Sequence, residues 1–477
     1  MGFGDGVGPA DCQKIKRRPN LLQRVMVRKL LAILFFQCIL CTAFAANYLT
    51  FTAEEDGSRF GISNNYNDPD IQYSLDEGAT WTQLLDEEMI TLEHKGDKAL
   101  LKGDNPNGIA QNDVYYTKFK MTGSIAASGS VMSLIDGIGE SVVIPSQCCF
   151  YRLFINCSSL TQAPELPATT LTFKCYYDMF WGCSNLTKAP ALPATTLAQS
   201  CYLGMFRNCT SLTQAPELPA TILTYTCYGD MFNNCTSLTK APALPATTLD
   251  YGCYGEMFSH CTSLTQAPEL PATTLASSCY AGMFEHCTSL TQAPELPSSN
   301  MTSACYNSMF EGCTSLTKAP VLYGTKIYDY FAHHMFKDCT NLSEISISFS
   351  KWSEIGALHL EYEGTEDWVV NVAPTGTFIC PKELPIEYGP SRIPEGWNVE
   401  YICNDDAVED IANESTRVWT DGLNLYVCYA GDVEVYGLNG KQIYKGHGDV
   451  DSPMCLSMPA HGVYVVKMGG KSSKVEL

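Results

Sequence analysis

Cysteine is the residue whose number and spacing in this chain could do chemistry. Of 23 cysteines in 477 residues, 15 fall at two fixed positions. One series is Cys149, Cys175, Cys201, Cys227, Cys253, Cys279 and Cys305; the other is Cys157, Cys183, Cys209, Cys235, Cys261, Cys287, Cys313 and Cys339. Thiols so ordered could close disulfides, hold a soft metal ion or pack as small apolar groups, and each use demands its own geometry. Within one copy Cys201, Met205 and Cys209 are spaced i, i+4 and i+8, with Phe206 beside them. If that segment is helical, its cysteines share a face but are separated by about 12 Å of rise. A disulfide allows only roughly 4.4–6.8 Å between Cα atoms. Bridges between equivalent cysteines of neighbouring copies need equally close backbones, and packed helices sit about 8–10 Å apart. Zinc is disfavoured too, because the spacing is not C-x-x-C and no histidine recurs with it. The expectation is buried free thiols acting as core residues.

The elements that must position these thiols repeat every 26 residues between 149 and 339. Their pattern is C-Y-x-x-M-F-x-x-C-T-S-L-T-x-A-P-x-L-P-A-T-T-L-x-x-x, and an eighth copy begins at Phe331 with the first cysteine replaced. That period lies within the roughly 20–29 residues of leucine-rich repeats and below that of ankyrin, TPR, HEAT or propeller units. A short helix is expected over C-Y-x-x-M-F-x-x-C. Leu212, Ala215 and Leu218, like Leu186, Ala189 and Leu192, then supply the apolar series of an extended segment. Pro216 and Pro219 limit that strand, because proline offers no ladder N–H. A further apolar column, Leu197, Leu223, Leu249, Leu275, Met301 and Ile327, packs before the next helix. Each copy has too little apolar surface to fold alone, so stacking supplies the core. The predicted fold class is an α/β repeat solenoid with one short helix and one short strand per repeat, flanked by all-β domains.

Variation between copies is confined. The variable residue of T-x-A-P runs Gln162, Lys188, Gln214, Lys240, Gln266, Gln292 and Lys318, and that of A-P-x-L-P runs Glu165, Ala191, Glu217, Ala243, Glu269, Glu295 and Val321. Every lysine copy lacks the glutamate. Either the alternation breaks a like-charge column, each lysine meeting a glutamate of an adjacent repeat, or it records duplication of a two-repeat unit. The pairs before the second cysteine, such as Trp181-Gly182, Arg207-Asn208, Asn233-Asn234, Ser259-His260 and Glu285-His286, vary freely and read as solvent-facing, with His260 and His286 as bystanders. Candidate binding residues on the repeat surface are Lys188, Glu217, Lys240, Glu269, Glu295, Trp181, Tyr225 and Tyr251.

The phased units C-Y-x-x-M-F and F-x-x-C-T-S-L-T resemble the BspA-like leucine-rich repeats of surface proteins from Bacteroidetes and related mucosal organisms, over about 149–345. The chain departs from the commoner form in its 26-residue length and in Cys-Tyr where Ile-Gly is frequent. The resemblance implies an extracellular module that binds proteins or adheres to host or bacterial surfaces.

Along the chain, 1–45 reads as an extension and signal peptide, 46–145 as a β-sandwich-like domain, 146–345 as the repeats, 346–402 as their C-terminal cap, 403–417 as a linker and 418–477 as a second β-sandwich. Met26 to Ala45 has a basic start, an apolar run over Leu30 to Cys41 and small residues at Ala43 and Ala45, the layout of a secretory signal. That run is too short to span a bilayer. Removing 1–45, with seven Lys/Arg and two Asp/Glu, leaves 23 basic against 49 acidic side chains and a formal charge of −26. Nucleic acid and anionic membrane surfaces are therefore not expected partners. Ser74-Leu-Asp-Glu-Gly-Ala-Thr-Trp81 matches the Asp-box S-x-D-x-G-x-T-W of sialidases and other propellers. There Asp76 and Gly78 shape a hairpin turn over Trp81, with glycan contact as the alternative use. The last 60 residues, with Val433-Glu-Val-Tyr436, an Asn439-Gly440 turn signal and Gly462-Val-Tyr-Val-Val-Lys467, resemble type IX secretion sorting domains.

No nucleophile elbow, phosphate loop or H-E-x-x-H is present. No catalytic residue, metal or cofactor is expected. The sequence reads as a non-catalytic protein, secreted or on the outer-membrane surface of a bacterium, that binds extracellular proteins of host or neighbouring bacteria. Carbohydrate binding, through the Asp-box or through Tyr176, Tyr177, Tyr225, Tyr251 and Trp181, is the alternative, and a passive spacer is the third reading.

Overall fold

The computed structural model describes residues 46–64, 69–298, 301–324, 328, 330–352, 364–402, 417–420, 424–429, 431–437, 440–448, 454–458, 463–468 and 471–476. The signal-like segment Met26 to Ala45 and nearly all of the linker lie outside the described residues.

Alternating sequence near the N-terminus makes strands with one buried face. These are β1 (Leu49–Ala53), β2 (Ser58–Asn64), β3 (Gln72–Ser74), β4 (Thr82–Gln83), β5 (Met89–Leu92), β6 (Lys98–Lys102), β7 (Thr117–Thr122) and β8 (Ile125–Ser128), followed by the single turn α1 (Ser133–Asp136). They form two sheets, β5-β2-β7 and β4-β3-β6-β1-β8-β9, where β9 (Leu160–Gln162) is the Leu-Thr-Gln of the first repeat. Phe51 joins the sheets, meeting Phe60 and Phe119 edge-on at 5.3 and 5.0 Å. Because β8 pairs in parallel with β9, Ile125 opposite Leu160, one buried core runs from Leu49 into the repeats and on to Trp397.

The expected helix of each repeat is not formed. Across C-Y-x-x-M-F-x-x-C the backbone N–H groups divide into two sets. Tyr202, Gly204, Phe206 and Asn208 donate to the carbonyls of Cys227, Gly229, Met231 and Asn233 in the next repeat, at 2.8–3.1 Å. Met205, Arg207 and Cys209 donate to Tyr202, Gly204 and Phe206 three residues back, at 3.0–3.2 Å. Every fourth residue has positive φ, as at Ser200 (53°), Gly204 (62°) and Asn208 (60°). The segment is a ribbon of tight turns, hydrogen-bonded sideways to the next copy. The reason lies in the apolar spacing. At 3.6 residues per turn, position i+8 has rotated about 80° from position i, which would carry Cys209 off the face of Cys201. A four-residue turn unit keeps Cys201, Met205 and Cys209, and Tyr202 with Phe206, all fully buried.

Translation from repeat to repeat then stacks like on like. The rings of Tyr176, Tyr202, Tyr228, Tyr254, Tyr280 and Tyr306 lie 5.8–6.2 Å apart with planes within 11°. Phe154 through Phe336 form a second column at 5.4–5.9 Å. Each such contact adds about 0.5–1.5 kcal/mol beyond burial. Leu197, Leu223, Leu275 and Met301 are buried as well, Leu249 is half-buried, and Ile327 lies outside the described residues.

All 15 repeat cysteines are buried and free. The geometric reason differs from the one the helix suggested. Neighbouring backbones do approach closely, but in-register side chains point the same way, so their Cβ atoms stay about one repeat apart. The ring columns put that spacing at 5.4–6.2 Å, against the roughly 3.5–4.5 Å between Cβ atoms that a disulfide needs.

The proline-bearing half of the repeat is extended but barely paired. It holds single parallel bridges such as Lys188 to Gln214 and Thr248 to Thr274. Where A-P-x-L-P ends, a true parallel sheet develops from β10 (Glu344–Ser346), β11 (Thr377–Cys380) and β12 (Asn398–Tyr401). Trp352, Trp368 and Trp397 close this end, their indole N–H groups donating to the carbonyls of Pro385, Arg392 and Ala373.

The C-terminal strands are β13 (Arg417–Thr420), β14 (Asn424–Cys428), β15 (Gly431–Gly437), β16 (Gln442–Gly448), β17 (Met454–Ser457), β18 (Val463–Met468) and β19 (Lys471–Glu476). They form sheets β13-β14-β17 and β16-β15-β18-β19 over their own core of Leu425, Val427, Val433, Val435, Tyr464, Val466 and Met468. Among the described residues no helix is long and apolar enough to cross a membrane.

Candidate functional site

Two strips of each repeat reach solvent, and they differ in kind. On the turn strip, the third, fourth, seventh and eighth residues counted from the first cysteine, and the two residues before it, change from copy to copy. On the proline strip, T-S-L-T-x-A-P-x-L-P-A-T-T-L stays nearly constant through the central copies. The turn strip can vary because its backbone is held by hydrogen bonds to the next repeat and by the Cys, Tyr, Met and Phe columns beneath it. Its own side chains are left to other uses.

At the N-terminal end of the turn strip the variable residues are aromatic and basic. Tyr151 and Tyr177 stack at 5.0 Å, and Tyr116 meets Tyr151 at 5.2 Å. Arg152 donates from Nε and Nη2 to Asp178 Oδ2 at 3.0 and 2.9 Å. The Arg152 guanidinium lies 5.5 Å from the Trp181 ring and that of Arg207 lies 5.7 Å from it, while Arg207 also pairs with Asp230 at 3.4 Å. Burial pushes the carboxyls of both Asp178 and Asp230 up to about 6, despite their arginine partners. Tyr225 and Tyr251, both more than two-fifths exposed, stack on each other at 5.1 Å.

Toward the other end the same positions become acidic and histidine-bearing. Glu311 accepts from Lys337 Nζ at 2.8 Å and lies 3.8 Å from His334. The rings of His260 and His286 are 4.7 Å apart, and burial lowers the His260 pKa. The residues before the second cysteine are less exposed than expected. Asn233 and Ser259 are buried, and Asn234 donates its amide to Asn208 at 2.8 Å, making a side-chain ladder along the strip. Among the described residues no group of three or more His, Cys, Asp or Glu could hold a metal ion.

The structure therefore divides the sequence-derived candidates. Trp181, Tyr225 and Tyr251 stand on the turn strip. Lys188, Glu217, Lys240, Glu269 and Glu295 stand exposed on the proline strip. Tyr176, proposed with them as a sugar-stacking ring, is only 1% exposed and belongs to the core column. The expected lysine–glutamate pairing along the proline strip is not made at Lys188 or Lys240, and the described ion pair on that strip is Lys318 with Glu344 at 2.6 Å. Near the last repeats the strip sinks into a groove of about 580 Å³ lined by Gln292, Pro294, Glu295, Lys318, Pro320 and Tyr323. Sequence reasoning missed Arg152, Asp178, Arg207 and Asp230. The signal that could have found them is that they occupy the repeat positions with the greatest spread of chemistry.

The second cysteines perform a chemistry that spacing alone did not show. Cys183, Cys209, Cys235, Cys261, Cys287, Cys313 and Cys339 each donate their thiol proton to the carbonyl of the phenylalanine 29 residues earlier, at 2.9–3.2 Å. Burial raises their pKa, which keeps them protonated as that role requires.

In the N-terminal unit the Asp-box is a turn between β3 and β4. Asp76 accepts from Thr80 N at 2.8 Å, from Thr80 Oγ1 at 2.6 Å and from Ser74 Oγ at 2.7 Å, and these bonds draw its pKa down to about 2. Trp81 lies under Gly78, edge-on to Tyr48 at 5.0 Å with Lys102 Nζ 4.1 Å from its ring. The carboxylate is spent on its own turn.

The family described as BspA type leucine rich repeat region matches residues 140–265 and 254–363, in six copies. No curated protein matches the chain.

Proposed function

We propose that this chain is a non-catalytic, exported surface protein whose stacked repeats form a solenoid that binds other proteins, an adhesin-type role toward host or neighbouring bacterial surfaces. The observation that carries this reading is the turn strip. An invariant hydrogen-bonded scaffold presents copy-specific side chains there, rich at one end in Tyr, Trp and Arg, the residue types that dominate binding energy at protein interfaces. Leucine-rich repeats of the matched type are typically found on surface or secreted proteins, and the signal-like segment Met26 to Ala45 agrees with export. The tail over 418–477 is proposed as a type IX sorting and anchoring address in a bacterium of the Bacteroidetes.

Carbohydrate binding through the strip's aromatics is less favoured. A sugar needs an open ring face, whereas Trp181 has a guanidinium from the repeat on either side, and Tyr225 and Tyr251 each give one face to the other. The test is binding of the mature chain, 46–477, to parallel arrays of extracellular proteins and glycans, alongside Trp181→Ala with Arg207→Ala. Saturable protein binding weakened by the double variant is the expected result. Glycan-only binding, or none at all, would leave the carbohydrate or spacer reading in its place.

A further inference from the structure

Outside both strips, the loop that joins β6 to β7 walls an open cavity of about 230 Å³. Asn105-Pro-Asn-Gly108 begins the loop as a β-turn, with Asn, Pro and Gly at the positions that a type I turn favours. Gly108 donates its N–H to the Asn105 carbonyl at 2.9 Å. The buried Asn105 side chain fixes this turn. Its Oδ1 accepts from Asp70 N at 3.0 Å, and its Nδ2 donates to the carbonyls of Asp70 and Leu134 at 2.8 and 2.7 Å. Further on, Ile109 donates its N–H to the Cys149 carbonyl at 3.3 Å, and Asn112 Oδ1 accepts from Val114 N and Tyr115 N at 2.8 and 2.9 Å. The N-terminal core holds the loop on one side and the first repeat holds it on the other, so the cavity is preformed.

The lining selects the ligand. Asp104, Asn107 and Gln111 are exposed there, and among the described residues their side chains have no hydrogen-bond or ion-pair partner. The two carboxamides each offer donors and an acceptor, while the carboxylate only accepts. Pro106, Ile109 and Ala110 add an apolar patch to the same wall, and Tyr115, two-fifths exposed, adds an aromatic ring. No basic side chain lines the cavity, and Asp104 is its one charged residue, so an anionic ligand is repelled. A hydrocarbon would cover the free carboxamides and carboxylate without bonding them, which is unfavourable. A polyol ring satisfies both kinds of lining, because its hydroxyls donate and accept while its C–H face is apolar. Size narrows the choice further. The cavity is smaller than the roughly 300–1,000 Å³ of pockets for drug-sized molecules and holds the volume of about eight waters, which is room for one ring and not for a chain. We infer that this cavity binds a single ring of a neutral sugar, with adjacent hydroxyls on Asp104, Asn107 and Gln111 and the C–H face over Pro106, Ile109 and Ala110.

The site shares no residue with the Asp-box or with the turn-strip side chains that carry the protein-binding reading, so the two fail separately. The probes are glucose, galactose and mannose, offered singly to the mature chain and followed by ligand-observed saturation-transfer NMR. At least one should bind, with a Kd of about 1 mM, since so small a ligand gains little affinity. The uronate of that sugar should bind about fivefold more weakly or worse, because its carboxylate meets Asp104. Asp104→Asn should narrow that gap, a change that a purely structural role would not produce. Asn107→Ala with Gln111→Ala should weaken the sugar at least about tenfold, because hydroxyls left unpaired are strongly disfavoured. Thermal midpoints equal to the parent's, expected because neither side chain bonds within the chain, exclude misfolding as the cause. Absence of saturation transfer from all three sugars overturns the proposal, as does undiminished binding by the Asn107 and Gln111 double variant. Tighter binding of lysine amide than of any sugar also overturns it, by making the cavity a cation site. Trp181→Ala with Arg207→Ala should leave the sugar bound, and sugar binding by a chain that captures no array protein would support this site while sinking only the turn-strip reading.

Discussion

At the scale of single residues, the second-series cysteines act as hydrogen-bond donors in the core. Cys261 donates to the Phe232 carbonyl at 3.1 Å, a bond that serine can imitate and alanine cannot. At Cys253, in the first series, no such donation is made, and serine would bury a hydroxyl with a solvation cost of about 1–3 kcal/mol. Ser should therefore be the milder replacement than Ala at 261 and the harsher one at 253, read as shifts in the denaturation midpoint. The opposite order at either site would remove the thiol from this role. Burial also predicts that alkylation of the native protein, mapped by mass spectrometry, leaves all 15 repeat cysteines unmodified. Asp178 sets a pH dependence of opposite sense to an ordinary surface carboxylate. Its folded pKa of about 6 lies above the usual aspartate value, so the stability it contributes is present below the unfolded pKa and is lost as pH rises through about 6. The loss is about 2 kcal/mol, because each tenfold gain in proton affinity on folding is worth about 1.4 kcal/mol and relaxation around the carboxyl takes back part of it. Asp178→Asn should flatten the fall in melting temperature between mildly acidic and neutral solution; an unchanged slope would show that the carboxyl is better solvated than its 6% side-chain exposure suggests.

At the scale of elements, much was legible and one thing was not. The repeat period, the buried columns and the proline-limited extended segment could be read directly, since each follows from residue type and spacing. The helix could not be distinguished from the turn ribbon on apolar spacing at i and i+4 alone, because both place those residues together. The discriminating sign was the third member at i+8, which a helix rotates away, and the Asn, Asp, Gly and Ser that recur at four-residue intervals where φ is positive. These left-handed positions have an energetic consequence. Glu256 sits at φ 53°, in the place that glycine holds in two other copies as Gly204 and Gly282. Left-handed backbone costs a non-glycine residue about 1–2 kcal/mol, partly offset by the greater chain entropy of glycine. Glu256→Gly should raise stability by about 0.5–1 kcal/mol. Gly204→Ala should lower it by at least as much, because the added Cβ would meet Asp178 Oδ1 at 2.2 Å. The far-ultraviolet circular dichroism of the mature chain should also lack the double minimum of an α-helical repeat. Of the surface candidates, sequence found the charged residues of the proline strip through their alternation, but missed the arginine–aspartate pairs of the turn strip. Their partners come from different copies, joined only when the repeats stack.

At the scale of the whole molecule, a stack of interdependent repeats must be closed at its ends. The N-terminal sheets close theirs by imitating a repeat. Phe119 in β7 stacks on Phe154 at 5.1 Å, in line with the phenylalanine column, and its carbonyl accepts the Cys157 thiol at 3.3 Å, as each repeat phenylalanine does for the next copy. Phe119 also donates its backbone N–H to Leu153 at 2.7 Å, and β8 pairs with β9. At the other end Phe336 donates to the Trp368 carbonyl at 2.9 Å, with the rings 6.0 Å apart, so tryptophan continues the column. The N-terminal unit is thus joined to the repeats by the same bonds that join repeats to each other. Removing 46–145 from the mature chain would expose Phe150, Phe154, Cys157 and Leu160, all buried, and leave the first turn ribbon without a neighbour on that side. The shortened chain should melt at a clearly lower temperature and self-associate in size-exclusion chromatography, whereas Asp76→Asn, which loosens only the β3–β4 turn, should change neither property much. If the deleted chain keeps the parent's melting temperature and stays monomeric, the sheets are a separable passenger rather than a cap. Because the expected loss is structural, a role for the Asp-box in ligand contact is better tested by point changes at Asp76 and Trp81 than by deleting the unit, since deletion would disturb both exposed strips at once.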